Sequence, residues 1–455
     1  SISLGSTYNI KETSIHLSKP VYLSISIYLS MASSFRVVFI LVALLCISVV
    51  AAADPASPIR SAYFYFGSGV TPSNIDTSLF THLYYAFASM DTNSYNIITD
   101  PSDNTGYIST FSATVRKANP AIKTLLAIGG ANSNAASFSR MAASREGRAA
   151  FINSSISVAR SFGFDGLDLD WEYPSTPTDM SNLALLIQEW STAAKTQSPP
   201  LLLTAAVRYS VTIDFDEVPR TYPTATMASY LDWVTLMAYD LHGSWEENLT
   251  GEHTALYDNT AEQKATVNYG VQQWLSAQFP ASSTLLGLAA YGHSWFLEDP
   301  TVNGVGAAAS GYNSDLDFSV IQSTVSASNG ECAVDETTVS AYCYWAPGPG
   351  QRTIWAGFDD PTTIAAKVEY LQQEGLRGYA FWSMDGDTNN VLFTQGNDPL
   401  YISQIYIAFL HPYIHTRISI FRIIMYANSC FSMSCLPKRT SLHNLFHENF
   451  TKTIQ

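Results

Sequence analysis

The segment Phe164-Asp165-Gly166-Leu167-Asp168-Leu169-Asp170-Trp171-Glu172-Tyr173-Pro174 decides how the rest of this 455-residue chain is read. On a strand, alternate side chains share a face. Asp168, Asp170 and Glu172 therefore point one way, and Leu167, Leu169 and Trp171 the other. Carboxylates at such close range cannot all stay ionised, so at least one pKa must rise. A solvated acidic strand would not alternate with Leu and Trp, and a calcium or magnesium site gathers its oxygens from several loops. The pattern suits a general acid at Glu172 whose proton is held by the Asp170 charge, with Asp168 sharing a proton with Asp170.

Outward from this segment, short apolar runs alternate with longer helical patterns, the signature of βα units and a parallel sheet. Eight candidate strands can be counted: Ser61–Phe66, Thr81–Ala88, Lys123–Gly129, Gly163–Trp171, Leu201–Val207, Trp233–Tyr239, Leu285–Tyr291 and Gly378–Trp382. Glu146–Phe162, Thr178–Lys195 and Ala261–Gln278 carry the clearest helical patterns, with Thr178 and Asp179 as a cap signal for the second. Eight such units predict an α/β chain closed as a (β/α)8 TIM barrel, which leaves no sheet edge exposed. An open doubly wound sheet is the alternative, and it would usually carry a Gly-rich phosphate loop after its first strand, where none occurs. Glu172 then falls at the C-terminal end of the fourth strand, where barrel enzymes do their chemistry. The stretch from about 296 to 355 is too long for a plain loop and predicts a small α+β insertion domain between strand 7 and helix 7.

The two ends read differently. Residues 1–30 precede the first methionine, Met31, and suggest read-through of an untranslated leader. Residues 31–53 combine Arg36, an apolar run from Val37 to Val50 and small residues at Ala51-Ala52-Ala53, the pattern of a secretory signal peptide. The run is short for a membrane span. Residues 54–400 then form the barrel and 401–455 an atypical, disordered or artefactual tail, with a vacuolar sorting tail as the alternative. Together these predict a secreted protein, extracellular or vacuolar. A formal net charge of −15 opposes polyphosphate and so excludes nucleic acid as a partner. Aromatic residues make up 13% of the chain, which fits a large core before it fits sugar-stacking rings. No cysteine shows metal-ligand spacing with histidine, so no metal or cofactor is expected, while Cys332 and Cys343 are close enough to pair in an oxidising compartment. Sequons stand at Asn153 and Asn248.

The segment Asp165 to Glu172 also matches the DxxDxDxE signature of family 18 glycoside hydrolases, and the chain most resembles the plant class V chitinases over roughly residues 60–390. Met237-Ala238-Tyr239-Asp240 is similar to the family's MxYD motif, Tyr291-Gly292-His293-Ser294-Trp295 to its YGRxW motif, and Gly378-Tyr379-Ala380-Phe381-Trp382 to its last-strand motif. The resemblance implies substrate-assisted, retaining cleavage of β-1,4 links in chitin or chito-oligosaccharides, with no second nucleophilic carboxylate. It implies catalytic roles for Glu172, Asp170, Asp168 and Tyr239. Sugar contacts would come from Trp382, Asp240, Met237, Tyr63, Phe87, Trp171, Tyr291 and Gly130. Three departures stand out. Ala127 replaces a serine that supports the Asp pair, Phe64 stands where tryptophan is common, and His293 stands where arginine is usual. Rival readings are a chitin-binding lectin on the same barrel and an endoglycosidase acting on N-glycans. Retention of Glu172, Asp170 and Tyr239 favours the enzyme, acting as a monomer on a linear polymer.

Overall fold

The computed structural model describes residues 58–395 apart from 215, 217 and 259–263. Eight parallel strands close on themselves: Ile59–Tyr65, His82–Met90, Lys123–Gly129, Gly166–Asp170, Leu202–Arg208, Trp233–Met237, Thr284–Ala289 and Gly378–Trp382. The first strand pairs with both the second and the last, through Tyr63–Tyr84 and Ser61–Ala380, so the sheet is a closed (β/α)8 barrel. Closure explains the composition of these strands. Each is buried on both faces, as with the unbroken burial of Gly166–Asp170 and Thr284–Ala289, and parallel sheets of this kind read as near-continuous apolar runs.

The two faces hold different cores. Outward-facing Leu83, Leu126, Leu167 and Leu169 join the layer under the helices Ala135–Ala143, Arg145–Phe162 and Pro177–Lys195. Inward-facing Tyr63, Tyr84, Leu125, Ala127, Trp233 and Leu285 fill the barrel. The long helix after the acidic strand begins at Pro177, capped by Thr176 through its bond from Asp179 N, rather than at Thr178. Proline at the first helical position costs no hydrogen bond, so the start shifts to it. The helix expected over Ala261–Gln278 spans Val267–Ser276, and part of the expected range lies outside the described residues.

Between the seventh barrel strand and the helix Pro361–Gln373 lies a five-stranded antiparallel sheet with one helix, Phe318–Ala327. It begins at Tyr291–Leu297 and ends at Ile354–Phe358. The Tyr291–Trp295 motif therefore belongs to this inserted sheet and not to the seventh barrel strand, which stops at Ala289. Cys332 and Cys343 form a disulfide between directly paired strand positions, with Cα atoms 4.0 Å apart. The expected leader, signal segment and tail lie outside the described residues. Asn153 and Asn248 are both exposed.

Candidate active site

The acidic segment reaches the barrel mouth in a graded way. Asp168 is fully buried within the barrel, Asp170 is the last residue of its strand, and Glu172 lies in the turn that follows. Tyr63 Oη donates to Asp168 Oδ2 at 2.9 Å and Thr204 Oγ1 donates to Oδ1 at 2.5 Å. Thr204 is the register partner of Asp168 on the neighbouring strand, as Ala127 is on the other side. The hydroxyl missing at Ala127 is thus supplied from the opposite neighbour. Burial still dominates at Asp168 and pushes its carboxyl up to about 6, against the pull of these two donors. Asp170 is held well above the usual carboxylate range by burial and by the charges of Glu172 and Asp168, and its Oδ1 has no hydrogen-bond partner among the described residues. Burial lifts Glu172 to about 7, opposed by a bond from Tyr173 and assisted by the charge of Asp240.

The approach of the third strand to this segment requires glycine. Gly129 has φ +122°, and a Cβ there would lie 1.9 Å from the Asp170 carbonyl oxygen. Gly130 has φ +85° and packs under the Phe87 ring, while its N–H donates to the same Asp170 carbonyl at 2.9 Å. Gly130 therefore shapes the backbone around Asp170 and offers the cleft no side chain.

The cleft over these carboxylates is open to solvent and spans about 680 Å³ with its mouth included. Of the residues singled out from sequence, Tyr63, Phe87, Asp170, Glu172, Met237, Tyr239, Asp240 and Trp382 line it. Trp382 stacks with Phe87 at 5.5 Å and meets the edge of Tyr63 at 5.6 Å, giving an aromatic floor beside the acids. Trp171 does not reach the cleft. It is buried on the outer side of the barrel, stacked on Phe138 at 5.8 Å, because it alternates with Asp170 and Glu172. Phe64 faces outward for the same reason, packed on Phe111 at 5.1 Å, so a change of ring there touches no cleft residue. Tyr173, Arg208 and Tyr209 line the cleft although the sequence reading passed over them. Arg208 ends the fifth barrel strand, and that position was the signal that could have found it.

Asp240, with φ +55°, sits three residues past the sixth strand in a left-handed conformation that aspartate tolerates. Its Oδ1 accepts from Tyr291 Oη at 2.5 Å and lies 2.9 Å from His293 Nε2 and 3.7 Å from His253 Nδ1. Burial opposes the charge, but these histidine contacts prevail and hold the Asp240 carboxyl well below the usual range. At His293 burial likewise opposes protonation, yet Asp240 and Asp315 push it up to about 9. His293 is thus buried and paired between two carboxylates rather than presented to a sugar. Tyr291 does not line the cleft and meets its residues through Asp240 and an edge contact with Tyr239 at 6.1 Å.

Comparison with known proteins agrees with this geometry. The sequence profile of Glycosyl hydrolases family 18 matches residues 60–387. A class V chitinase from Medicago truncatula is 40% identical over 341 residues, covering 72% of this chain and 86% of its own. A GH18 chitinase from Cycas revoluta, solved in complex with (GlcNAc)3, superposes with a TM-score of 0.69 at 36% identity, covering 74% of this chain and 98% of its own. A chitinase-like agglutinin from Robinia pseudoacacia gives a TM-score of 0.67 at 38% identity, covering 74% and 98%.

Proposed function

This chain belongs to glycosyl hydrolases family 18 and is a chitinase-type glycoside hydrolase, and on that premise we propose that it cleaves β-1,4 links between N-acetylglucosamine units with help from the substrate's own acetamido group. The observation that carries this reading is the Asp168–Asp170–Glu172 series, its first two members buried, in which Asp170 Oδ1 has no hydrogen-bond partner among the described residues and Glu172 is raised to about 7. A carboxyl in that range is still protonated in mildly acidic solution and can act as a general acid.

In the proposed reaction Glu172 protonates the glycosidic oxygen. The acetamido carbonyl oxygen attacks the anomeric carbon as that bond breaks, giving an oxazolinium ion. Asp170 accepts the acetamido N–H and offsets the positive charge. Tyr239 donates to the acetamido oxygen and holds it for attack. Trp382 and Phe87 floor the sugar. Water, deprotonated by Glu172, then opens the ion with retention of configuration. The relevant test is hydrolysis of an N-acetylglucosamine hexamer with the product anomer read early by NMR. Initial β-anomer supports the reading, and initial α-anomer refutes it. Binding without turnover would favour a lectin, a reading with a precedent in the Robinia agglutinin but opposed by the presence of Glu172, Asp170 and Tyr239 together.

We further propose secretion, on the signal pattern of residues 31–53. Amino-terminal sequencing of the exported protein should begin near Asp54.

A further inference from the structure

At the edge of the substrate cleft, three side chains converge on one point, and none of them takes part in the proposed proton transfers of hydrolysis. Asp240, His253 and His293 each offer one ligand atom, and these atoms all lie within 4.8 Å of one another. Both histidines are buried, while the Asp240 carboxylate is half-exposed toward the cleft.

The outward-facing nitrogens of both rings are engaged by acceptors. His253 Nε2 lies 3.1 Å from the carbonyl oxygen of Tyr291, so it carries the proton and donates. That tautomer leaves Nδ1 with its lone pair, and Nδ1 is buried with no hydrogen-bond partner among the described residues, aimed at Asp240 Oδ1 from 3.7 Å. His293 Nδ1 lies 2.8 Å from Asp315 Oδ1 and beside Tyr312 Oη. With Nδ1–H donating to that carboxylate, Nε2 is turned inward, 2.9 Å from Asp240 Oδ1. With His293 neutral, two imidazole lone pairs would face the Asp240 oxygen, which also accepts from Tyr291 Oη, and that is repulsive unless something positive lies between them. A proton on His293 neutralises one contact and leaves His253 Nδ1 unsatisfied. A metal ion satisfies all three.

The surroundings match what transition metals require. Ligating histidines usually donate their other N–H to a carboxylate or a backbone carbonyl, which fixes ring and tautomer; Asp315 and the Tyr291 carbonyl occupy those positions. With metal–ligand bonds of about 2.0–2.1 Å, tetrahedral ligand atoms stand roughly 3.3 Å apart. The 2.9 and 3.7 Å separations bracket that value. Two imidazoles and one carboxylate suit zinc and its neighbours and not magnesium or calcium, which prefer oxygen.

We propose that Asp240, His253 and His293 form a binding site for a divalent transition metal such as Zn²⁺, open on the Asp240 side to the sugar cleft. The ion replaces the Nε2 proton that His293 directs at Asp240, while Nδ1–H stays on Asp315, so one proton leaves as the ion binds. Asp240 is then tied to the metal and withdrawn from a sugar in the cleft.

Titration of metal-free protein with Co²⁺, followed by visible absorption and calorimetry, tests this without reference to hydrolysis. The expected result is one Co²⁺ per chain, with d–d bands of a low-coordinate site containing nitrogen, displaced by Zn²⁺. His293→Gln and His253→Asn should each abolish the bands, and circular dichroism checks that each variant is folded. Because His253 is fully buried, His293→Gln and the wild-type spectrum carry the test if His253→Asn misfolds. Absence of stoichiometric binding to the wild type, or binding that survives His293→Gln, overturns the proposal. A protein that binds Co²⁺ but does not cut chitin would leave this site standing and refute the proposed function instead.

Discussion

Replacing Glu172 by Gln should reduce activity and stabilise the fold in alkaline solution, and the two effects have one cause. The folded state holds this carboxyl at about 7, against an ordinary 4.5. A group whose folded pKa is raised adds stability below its unfolded pKa and loses it as pH climbs through the folded value. Here the window runs from 4.5 to 7. At 1.36 kcal/mol per pKa unit, the wild type should lose about 3 kcal/mol through this group between pH 4.5 and pH 8. Gln has nearly the same shape and no charge to desolvate, so Glu172→Gln escapes that loss. For a domain of this size about 3 kcal/mol corresponds to roughly 4 °C in Tm. Calorimetric melts of both proteins at the two pH values should show the variant gaining by about that amount at pH 8 and by little at pH 4.5. Because Glu172 and Asp170 titrate as a pair, the gain belongs to the pair. Hydrolysis of the hexamer should fall by about 10²–10⁴ in the variant, the usual worth of a positioned acid. The wild-type rate should decline as pH rises through about 7, where the acid form is lost. An equal Tm change at both pH values, or a variant within tenfold of wild-type turnover, would falsify the assignment of Glu172 as a buried acid.

Removing the acetyl groups of the substrate should stop cleavage while leaving the polymer able to enter the cleft; equal turnover of fully deacetylated chains would rule out acetamido participation. Thr204→Val should leave one oxygen of the buried Asp168 without its donor, at a cost of about 1–3 kcal/mol in denaturant unfolding, whereas no change in unfolding would show that the hydroxyl contributes nothing. Trp382→Ala should raise the KM for oligosaccharides roughly tenfold by loss of a stacking surface. Trp171→Phe should lower Tm with kcat/KM unchanged, since that ring packs on Phe138 outside the barrel; a kinetic defect there would contradict the outward placement.

Much of the barrel was legible because its determinants are local. A strand buried on both faces announces itself as an apolar run, and all eight strands lie where such runs occur, with ends differing by a few residues. The alternation Asp168, Asp170, Glu172 against Leu167, Leu169, Trp171 likewise fixes which side chains share a face, since that period is a property of the strand itself. Alternation along each strand likewise places Trp171 and Phe64 outside, so the sugar contact that the resemblance implies for Trp171 runs against the strand's own pattern.

What the sequence could not supply is pairing across the barrel. Thr204 serves Asp168 only because closure sets the register of the fourth and fifth strands, 36 residues apart in their hydrogen bond. Asp240 meets His293 because the inserted sheet begins at Tyr291, and His253 because the loop after the sixth strand turns back, with Leu241 N–H donating to the His253 carbonyl. His293, which stands where arginine is usual, is a buried ring between two carboxylates, Asp240 and Asp315. Residue spacing along one strand is set by backbone geometry and can be read from sequence. Which side chains meet between strands depends on sheet closure and loop return, and these are decided by burial of the whole core at once.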